Sequence, residues 1–461
     1  MDDDTIAAIA TPVGEGGVAV IRVSGRRAPA VADICFRPAG KDSLPPSRMA
    51  THTIAYGRIV RGEKMVDEVL LAVLRAPRTF TREDTVEIFC HGGILPAKMA
   101  LDAILEGGAR LAEPGEFTRR AFLNGRLDLA QAEAVADLIR SRTELALAAA
   151  NEQLAGALSR RVNALRDDLL NILAHVEAHI DFPDEDIAPD ARGKLLARLE
   201  DGAACIAKLL ATANEGRILR HGIRAAIIGR PNAGKSSLLN QLLGRERAIV
   251  SPIPGTTRDT IEETANVRGL PIVFIDTAGL REARDEIEAE GIRRSRESLA
   301  QAELILHVLD AGELPETAGN DSFAGKKRIT VRNKMDLDPA WQGHAGAKPR
   351  TEAAGADKVV EVSCRTGQGI EELKEAIKET VWSGQITGEM FQVMINSRHQ
   401  DALNRARAAA QRTMEALRSG ASLELVALDL RIAVAAVGEI VGKTATEDLL
   451  DSIFSAFCIG K

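Results

Sequence analysis

The stretch Gly229-Arg230-Pro231-Asn232-Ala233-Gly234-Lys235-Ser236 decides the fold of the centre of this chain. It matches the pattern G-x-x-x-x-G-K-[ST], in which the backbone N–H groups of a glycine-rich loop surround the phosphates of a nucleotide. Residues 225–228 before it predict a strand, and residues 237–243 after it predict a helix. This context supports phosphate binding, because a helix N-terminus adds its dipole to the N–H groups. In such a loop Lys235 would neutralise the β and γ phosphate oxygens, and the Ser236 hydroxyl would ligate Mg²⁺.

Three further motifs follow in a fixed order, each directly after a short apolar run. Asp276-Thr277-Ala278-Gly279 would place a carboxylate near Mg²⁺ and a glycine near the γ-phosphate. In Asn333-Lys334-Met335-Asp336, the Asp336 carboxylate can accept both the N1–H and the 2-amino hydrogens of guanine, a pair of donors that adenine lacks. Ser363-Cys364-Arg365 would offer backbone N–H groups to the guanine oxygen. Four such motifs, all at the carboxyl ends of strands, indicate a GTP-binding domain.

The residue after the Asp-x-x-Gly motif is Leu280, where many GTPases carry a glutamine that orients the attacking water. Another group must therefore position the water and offset the charge of the transition state. A side-chain oxygen of Asn232, together with carbonyls of Ser251-Pro252-Ile253-Pro254-Gly255, would hold a monovalent cation beside the phosphates. The alternative is that Asn232 only braces the phosphate loop.

The segments on either side of the GTP motifs differ in pattern. Residues 1 to about 118 alternate short apolar runs with turns, which is typical of an α+β domain. Beyond residue 121 the apolar residues step by three or four. The stripe from Leu154 to Ile180 predicts one helix of seven turns that stops before Pro183. Helical patterning returns after residue 390, where Thr446 predicts an N-cap.

The simplest architecture is multidomain, with an α+β N-terminal domain, an all-α helical domain and a Ras-like α/β P-loop G domain inserted into the helical domain. The predicted ranges are 1–120 for the N-terminal domain, 121–220 and 383–461 for the two halves of the helical domain, and 221–382 for the G domain.

The composition is that of a globular protein, with 45% hydrophobic and 27% charged residues. The formal net charge of −7 gives no overall signal for nucleic acid. The sequence contains no apolar run of 18 residues and starts with the acidic Met1-Asp2-Asp3-Asp4, so we expect a soluble cytoplasmic protein with no membrane partner. The five cysteines lie far apart, which predicts neither a disulfide framework nor a structural zinc site.

Taken together, these motifs resemble the MnmE (TrmE) family of tRNA modification GTPases, within the TrmE-Era-like translational GTPases. The resemblance covers essentially the whole chain. Its most specific pieces, besides the phosphate loop, are Pro254-Gly255-Thr256-Thr257-Arg258-Asp259, Asp276-Thr277-Ala278-Gly279-Leu280-Arg281, Glu113-Pro114-Gly115-Glu116-Phe117-Thr118, Arg120-Ala121-Phe122-Leu123-Asn124 and Phe457-Cys458-Ile459-Gly460-Lys461.

The resemblance implies a K⁺-dependent GTPase whose G domains dimerise across their nucleotide faces. It implies K⁺ at Asn232, Ser251, Ile253 and Thr256, and Mg²⁺ at Ser236 and Thr257. It also implies catalytic roles for Lys235, Asn232 and Glu288, of which the last would orient the water indirectly. From the residues alone, Glu288 is one carboxylate among several, and a solvated charged face is the alternative. The stretches expected to line the GTP site are Asn232-Ala233-Gly234-Lys235-Ser236-Ser237, Ser251-Pro252-Ile253-Pro254-Gly255-Thr256-Thr257, Asp276-Thr277-Ala278-Gly279, Asn333-Lys334 with Asp336, and Ser363-Cys364-Arg365.

The resemblance further implies an N-terminal domain that forms a constitutive homodimer and binds 5,10-methylene- or 5-formyl-tetrahydrofolate. The matching positions are Arg22, Glu87, Arg126 and Lys461. A carboxylate suits the adjacent N–H donors of a pterin, and cations suit the carboxylates of a folate. Cys458 lies in an apolar stretch that reads as helical, where a cysteine is more commonly a small core residue than a nucleophile, so we do not count it as catalytic.

The activity that the resemblance implies is the installation of an aminomethyl-type group (carboxymethylaminomethyl) at C5 of the wobble uridine of tRNA. The implied partner is MnmG, a protein that uses FAD and NADH, in a heterotetramer-type complex; this chain shows no Gly-x-Gly-x-x-Gly site of its own. The alternative is a ribosome-assembly GTPase switch of the Era/Der type. The GTP motifs fit both activities, whereas the folate-matching residues have a role only in the first.

Overall fold

The computed structural model of this protein describes residues 4–40, 43–181, 189–244, 262–275, 300–311, 326–337, 351–354, 357–382, 391 and 394–461. The chain divides into two compact units. The first comprises Met1–Ala136, Ser159–Arg192 and Arg412–Lys461, and the second comprises Asp137–Leu158 and Gly193–Gln411. These units are defined by contacts, and the four predicted domain ranges stay a prediction.

The first unit contains a seven-stranded sheet in the order β3-β4-β5-β6-β2-β1-β7, antiparallel except for the pair β1 and β7. Alternate residues of its strands, such as Ile21 and Val23, are buried against two helices, α1 and α2, as the period of two requires. The predicted α+β pattern is therefore confirmed. The strands and the two helices are β1 (Ile6–Ile9), β2 (Val18–Ser24), α1 (Ala28–Cys35), β3 (Phe36–Pro38), β4 (Thr53–Arg61), β5 (Lys64–Leu74), β6 (Thr85–His91), α2 (Ile94–Glu106) and β7 (Arg110–Leu111).

Helices follow this sheet along the chain, and one of them differs from the prediction. The stripe from Leu154 to Ile180 does not form a single helix, because α5 ends at Leu154 and α6 begins at Ala157. Between them Gly156 adopts a φ of 81°, a left-handed conformation that ends a helix. The helices are α3 (Glu116–Leu123), α4 (Leu129–Arg140), α5 (Glu144–Leu154), α6 (Ala157–Asp181), α7 (Pro189–Ala211) and α8 (Ala213–His221).

The C-terminal residues of the first unit return to its N-terminal sheet. The backbone N–H of Gly115 donates to the Cys458 carbonyl at 3.4 Å, and the N–H of Phe117 donates to the Lys461 carbonyl at 3.2 Å. Cys458 is exposed and follows the last helix, which ends at Phe454. The expectation that Cys458 lies in a helical core stretch is therefore wrong, because the chain leaves the helix to reach Gly115.

The second unit contains a seven-stranded sheet in the order β13-β14-β12-β11-β8-β10-β9. Its five central strands are parallel, and the edge strands β9 and β13 are antiparallel to their neighbours. The strands are β8 (Ile223–Ile228), β9 (Glu263–Val267), β10 (Leu270–Phe274), β11 (Leu304–Asp310), β12 (Lys327–Asn333), β13 (Thr351–Ala354) and β14 (Asp357–Glu361). The predicted α/β sheet is confirmed, and its parallel centre brings the carboxyl ends of β8, β12 and β14 to one edge.

The remaining helices cover this sheet or complete the helical segments. Thr446 caps the last of them, since its hydroxyl accepts the N–H of Leu449 at 3.4 Å, as predicted. These helices are α9 (Lys235–Leu243), α10 (Ile370–Val381), α11 (Ser397–Ser419), α12 (Leu423–Val441) and α13 (Glu447–Phe454). Within the described residues, the structure contains no helix with the length and apolar composition needed to span a bilayer.

Candidate functional site

The phosphate loop joins the end of β8 to the start of α9, and two of its glycines are required by close approaches. A Cβ on Gly229 would lie 2.2 Å from the Val308 carbonyl oxygen. A Cβ on Gly234 would lie 2.0 Å from Nδ2 of Asn333, and Gly234 also has a φ of 97°. The loop therefore passes against β11 and the end of β12 at a distance that only glycine allows.

Lys235 lies over this loop at the N-terminus of α9. Its ammonium donates to the carbonyls of Gly229 at 3.0 Å and Arg230 at 2.9 Å. Burial lowers the pKa of Lys235, because the surrounding protein solvates the charged amine less well than water does. Anionic phosphate oxygens at the loop would supply the negative charge that favours the ammonium form.

Asn333 connects the phosphate loop to the other guanine-nucleotide motifs. Its amide Nδ2 donates to the Ala233 carbonyl at 2.9 Å, and its Oδ1 accepts the backbone N–H of Cys364 at 3.1 Å. The side chain is buried, so both bonds are shielded from water. One residue at the end of β12 thus fixes the positions of loops that follow β8 and β14.

Asp336, the carboxylate predicted to read the base, is held by the loop that follows β14. The Ser363 hydroxyl donates to Oδ1 of Asp336 at 2.7 Å, and the Arg365 guanidinium lies 3.9 Å from Oδ2. The negative charge of Asp336 and burial raise the pKa of the nearby Cys364 thiol to about 11, with burial the larger cause. The thiol therefore stays protonated at neutral pH.

Two of the N–H groups expected to meet the guanine oxygen donate inside the protein instead. The N–H of Ser363 donates to the Gln368 carbonyl at 2.9 Å, and that of Cys364 donates to Asn333. The reason is the tight turn after β14, which also brings the Gly367 N–H to the Ser363 carbonyl at 2.8 Å. The prediction from the motif alone did not include these internal partners.

Twelve predicted residues of the GTP and ion sites lie outside the described residues, whereas Asn232, Ser236, Ser237 and Lys334 lie within them. Of the K⁺ set the structure describes Asn232, which is exposed with a φ of 64°, and of the Mg²⁺ set it describes Ser236. The predicted residues outside the described ranges are Ser251, Pro252, Ile253, Pro254, Gly255, Thr256, Thr257, Asp276, Thr277, Ala278, Gly279 and Glu288.

A second cluster in the first unit brings together the four folate-matching residues. Arg22 on β2 and Glu87 on β6 are directly opposite each other and form an ion pair of 2.9 Å between Nε and Oε1. Lys461 belongs to the same cluster, since burial and then the charge of Arg22 lower the pKa of its amine, whereas the charge of Glu87 raises it. The C-terminal return to the sheet places Lys461 there.

Two phenylalanines that the sequence analysis missed complete this cluster. The Phe80 ring centroid lies 5.9 Å from the guanidinium carbon of Arg22 and 5.0 Å from that of Arg126, and Phe117 lies 5.8 Å from that of Arg22. Arg126 also donates to the Thr79 carbonyl at 2.8 Å. No spacing along the chain signals these contacts, which depend on strand pairing. Aromatic rings and cations at these distances attract each other.

Two protein-family models match this chain, one over its N-terminal segment and one over the rest. A family model of the MnmE helical domain matches residues 129–458, and a model of the N-terminus of the GTP-binding protein TrmE matches residues 5–126. The chain belongs to the MnmE family. The family predicted from the motifs is confirmed.

Curated relatives agree along the full length. The tRNA modification GTPase MnmE of Geobacter metallireducens is 48% identical over 466 residues, covering 100% of this chain and 99% of its own. That of Enterococcus faecalis is 46% identical over 468 residues, with the same two shares. Among solved structures, the G domain of the FeoB iron transporter of T. maritima covers 35% of this chain and 99% of its own, with 27% identity and a TM-score of 0.22.

Membership of the MnmE family bears on both clusters, the one formed by the GTP motifs and the one formed by the folate-matching residues. MnmE relatives are named as tRNA modification GTPases, which confirms the prediction of a GTPase enzyme with a multidomain fold. The GTP motifs form the first cluster, and Arg22, Glu87 and Arg126 of the second cluster lie in the segment matched by the TrmE N-terminal model, whereas Lys461 lies outside it.

Proposed function

We propose that this protein is a cytoplasmic, K⁺-dependent GTPase that works with MnmG to install a carboxymethylaminomethyl-type group at C5 of the tRNA wobble uridine. The observation that carries the proposal is the linkage of the phosphate loop to the base-reading loop through Asn333, in a chain of the MnmE family. The linkage fixes the distance between a phosphate site and a base site, as a nucleotide requires.

GTP would bind with its phosphates on the loop and its base at Asp336. The N–H groups at the start of α9 and the Lys235 ammonium would hold the phosphates, and the Asp336 carboxylate would accept the guanine N–H groups. Ser363 fixes one Asp336 oxygen, so the carboxylate needs no reordering when the base arrives. Mg²⁺, held by Ser236 and Thr257, would neutralise charge on the phosphates.

Hydrolysis would depend on Asn232 and Glu288. Asn232 is an exposed residue of the phosphate loop, and its side chain carries an amide oxygen, a ligand that suits a cation. We propose K⁺ there, with Ser251, Ile253 and Thr256 as further ligands; the ion would offset negative charge beside the phosphates. Glu288 would orient the attacking water indirectly, because Leu280 has no polar group with which to do so.

The second cluster would bind 5,10-methylene- or 5-formyl-tetrahydrofolate. The Phe80 ring offers a flat apolar surface for a pterin, Glu87 offers acceptors for its N–H groups, and Arg22, Arg126 and Lys461 offer cations for the folate carboxylates. Burial and, after it, the charge of Arg22 lower the pKa of Lys461, and an anionic ligand would oppose both effects by favouring the ammonium form. The folate would supply the one-carbon unit.

A homodimer would form through the outer face of the N-terminal sheet. The face turned away from α1 and α2 carries exposed apolar side chains, with Ile54 64%, Tyr56 53% and Leu70 45% accessible. Tyr56 is directly opposite Leu70, which is opposite Phe89 on the next strand, so the apolar row is continuous. A row of this kind is typical of an interface with a second copy.

The decisive experiment is mass spectrometry of wobble-uridine nucleosides from cells with and without this protein. We expect the C5-substituted uridines to vanish on deletion and to return with the wild type but not with Lys235→Ala. Lys194→Ala, on the exposed side of α7, is the matched control and should restore them. Nucleosides unchanged by deletion would contradict the tRNA-modification proposal and favour the Era/Der-type switch in ribosome assembly.

A further inference from the structure

Gln241 connects α9 to the base-reading loop, although no GTP motif contains it. Its side-chain Nε2 donates to the backbone carbonyl of Cys364 at 2.8 Å. Gln241 lies six residues after Lys235, so the two are separated by about 9 Å along the helix axis. The same helix therefore presents one end to the phosphates and a later turn to the base loop.

With Asn333, this bond closes a ring through three of the GTP motifs. Ala233 in the phosphate loop accepts from Asn333, Asn333 accepts from the Cys364 N–H, and the Cys364 carbonyl accepts from Gln241. Gln241 is covalently connected back to Ala233 through α9. Cys364 is thus held at both its N–H and its carbonyl.

The fixed position of Cys364 matters because its neighbour prepares the base-reading carboxylate. Ser363, whose hydroxyl donates to Asp336, directly precedes Cys364. Cys364 is buried, so its carbonyl would be left without a partner in a poorly solvated position if the Gln241 amide were removed. The loop would then shift to find a partner, and Ser363 would move with it.

We propose that Gln241 is a positioning residue for the guanine base. It holds the Ser363–Arg365 loop in the position from which Ser363 donates to Asp336. It does not contribute to the phosphate contacts. The inference rests on the proposed GTP site, and it names a residue outside the motifs on which the base preference of that site depends. The alternative is that Gln241 only packs α9 against the sheet.

The test compares Gln241→Leu with Asn240→Leu, which replaces the amide side chain of the adjacent, exposed residue of α9 with leucine. For Gln241→Leu we expect the Kd for GDP and the KM for GTP to rise about 3- to 10-fold, as for the loss of one neutral hydrogen bond. Its kcat at saturating GTP and its Kd for inorganic tripolyphosphate, which has no base, should stay at the wild-type values. Asn240→Leu should change none of these quantities.

A second variant, Gln241→Glu, keeps the shape of the side chain but has no donor when ionised. We expect it to weaken GDP binding at least as much as Gln241→Leu, without weakening tripolyphosphate binding. GDP affinity within twofold of wild type in both variants would overturn the inference, as would an equal loss of GDP and tripolyphosphate affinity. Failure of the wild type itself to bind GDP would instead overturn the proposed GTP site.

Discussion

Asn232 shows how the backbone of a single residue bears on the catalytic proposal. Its φ of 64° lies in the left-handed region, which asparagine tolerates better than most residues because its short amide can bond locally. The chain thus has an amide side chain at a position whose positive φ would favour glycine. That combination supports a role for the side-chain oxygen, which glycine lacks.

Asn232→Ala and Asn232→Gly separate the side chain from the backbone. Both remove the oxygen proposed to bind K⁺, but only alanine adds strain at a positive φ. We expect both variants to lose K⁺ stimulation of GTP hydrolysis and to keep guanine-nucleotide binding, measured by initial rates in KCl and NaCl and by titration with GDP. Stimulation that survives in Asn232→Gly would contradict the cation assignment.

At the scale of elements, the hairpin of β9 and β10 contacts α5. Its two-residue turn, Arg268-Gly269, has φ values of 54° and 87°, as turns with two left-handed residues require. A Cβ on Gly269 would lie 2.4 Å from Cδ1 of Leu145 at the start of α5. Arg142, just before α5, also donates to the Thr264 hydroxyl on β9. The hairpin connects the segment 245–261, which precedes β9, with the Asp276 motif after β10.

Gly269→Ala should lower the free energy of unfolding by about 1–3 kcal/mol, because it adds both left-handed strain and a clash with Leu145. Leu145→Ala removes the clashing atoms. In the double variant we therefore expect a loss smaller than the sum of the two single losses by at least about 0.5 kcal/mol. Chemical denaturation followed by circular dichroism measures all four proteins. Strictly additive losses would show that the close approach has no energetic consequence.

At the scale of the whole molecule, the free energy of unfolding should depend on pH through His221, which lies where α8 meets β8. His221 ends α8, and partial desolvation by the surrounding protein, together with the charges of Arg220, Arg217 and Arg140, lowers its pKa, whereas the charge of Asp137 raises it. Arg220 forms an ion pair of 2.5 Å with Asp137. The folded protein therefore keeps His221 neutral at pH values where the unfolded chain protonates it.

Because the unfolded state binds more protons, the stabilising contribution of a neutral His221 is present above the unfolded pKa of about 6.5 and is lost as the pH falls below it. We expect the free energy of unfolding to decrease from pH 7.5 to 5.5, and His221→Asn to reduce that slope. His52→Asn changes an exposed histidine of the first unit and is the control. An equal slope in wild type and His221→Asn would contradict the assignment.

Much of the local structure could be predicted from the sequence, since it depends on neighbours along the chain. The strand, loop and helix around Lys235 were predicted from apolar runs and glycines, and the cap at Thr446 from one hydroxyl before an apolar stripe. The helix across residue 156 was predicted wrongly, because an apolar stripe of three and four continued through a glycine that ends α5. Local pattern does not reveal the φ of a single glycine.

By itself the sequence determined the motifs, their order and the family, because phosphate and guanine recognition require particular residues at fixed spacing. Only the tertiary structure decided which distant residues meet. Through strand pairing and helix packing, Gln241 reaches Cys364, and Phe80 lies near both Arg22 and Arg126. The return of the C-terminal residues brings Lys461 to Arg22. Such contacts leave no periodic pattern in the sequence. They depend on the burial of apolar faces, and each face is formed by many side chains together.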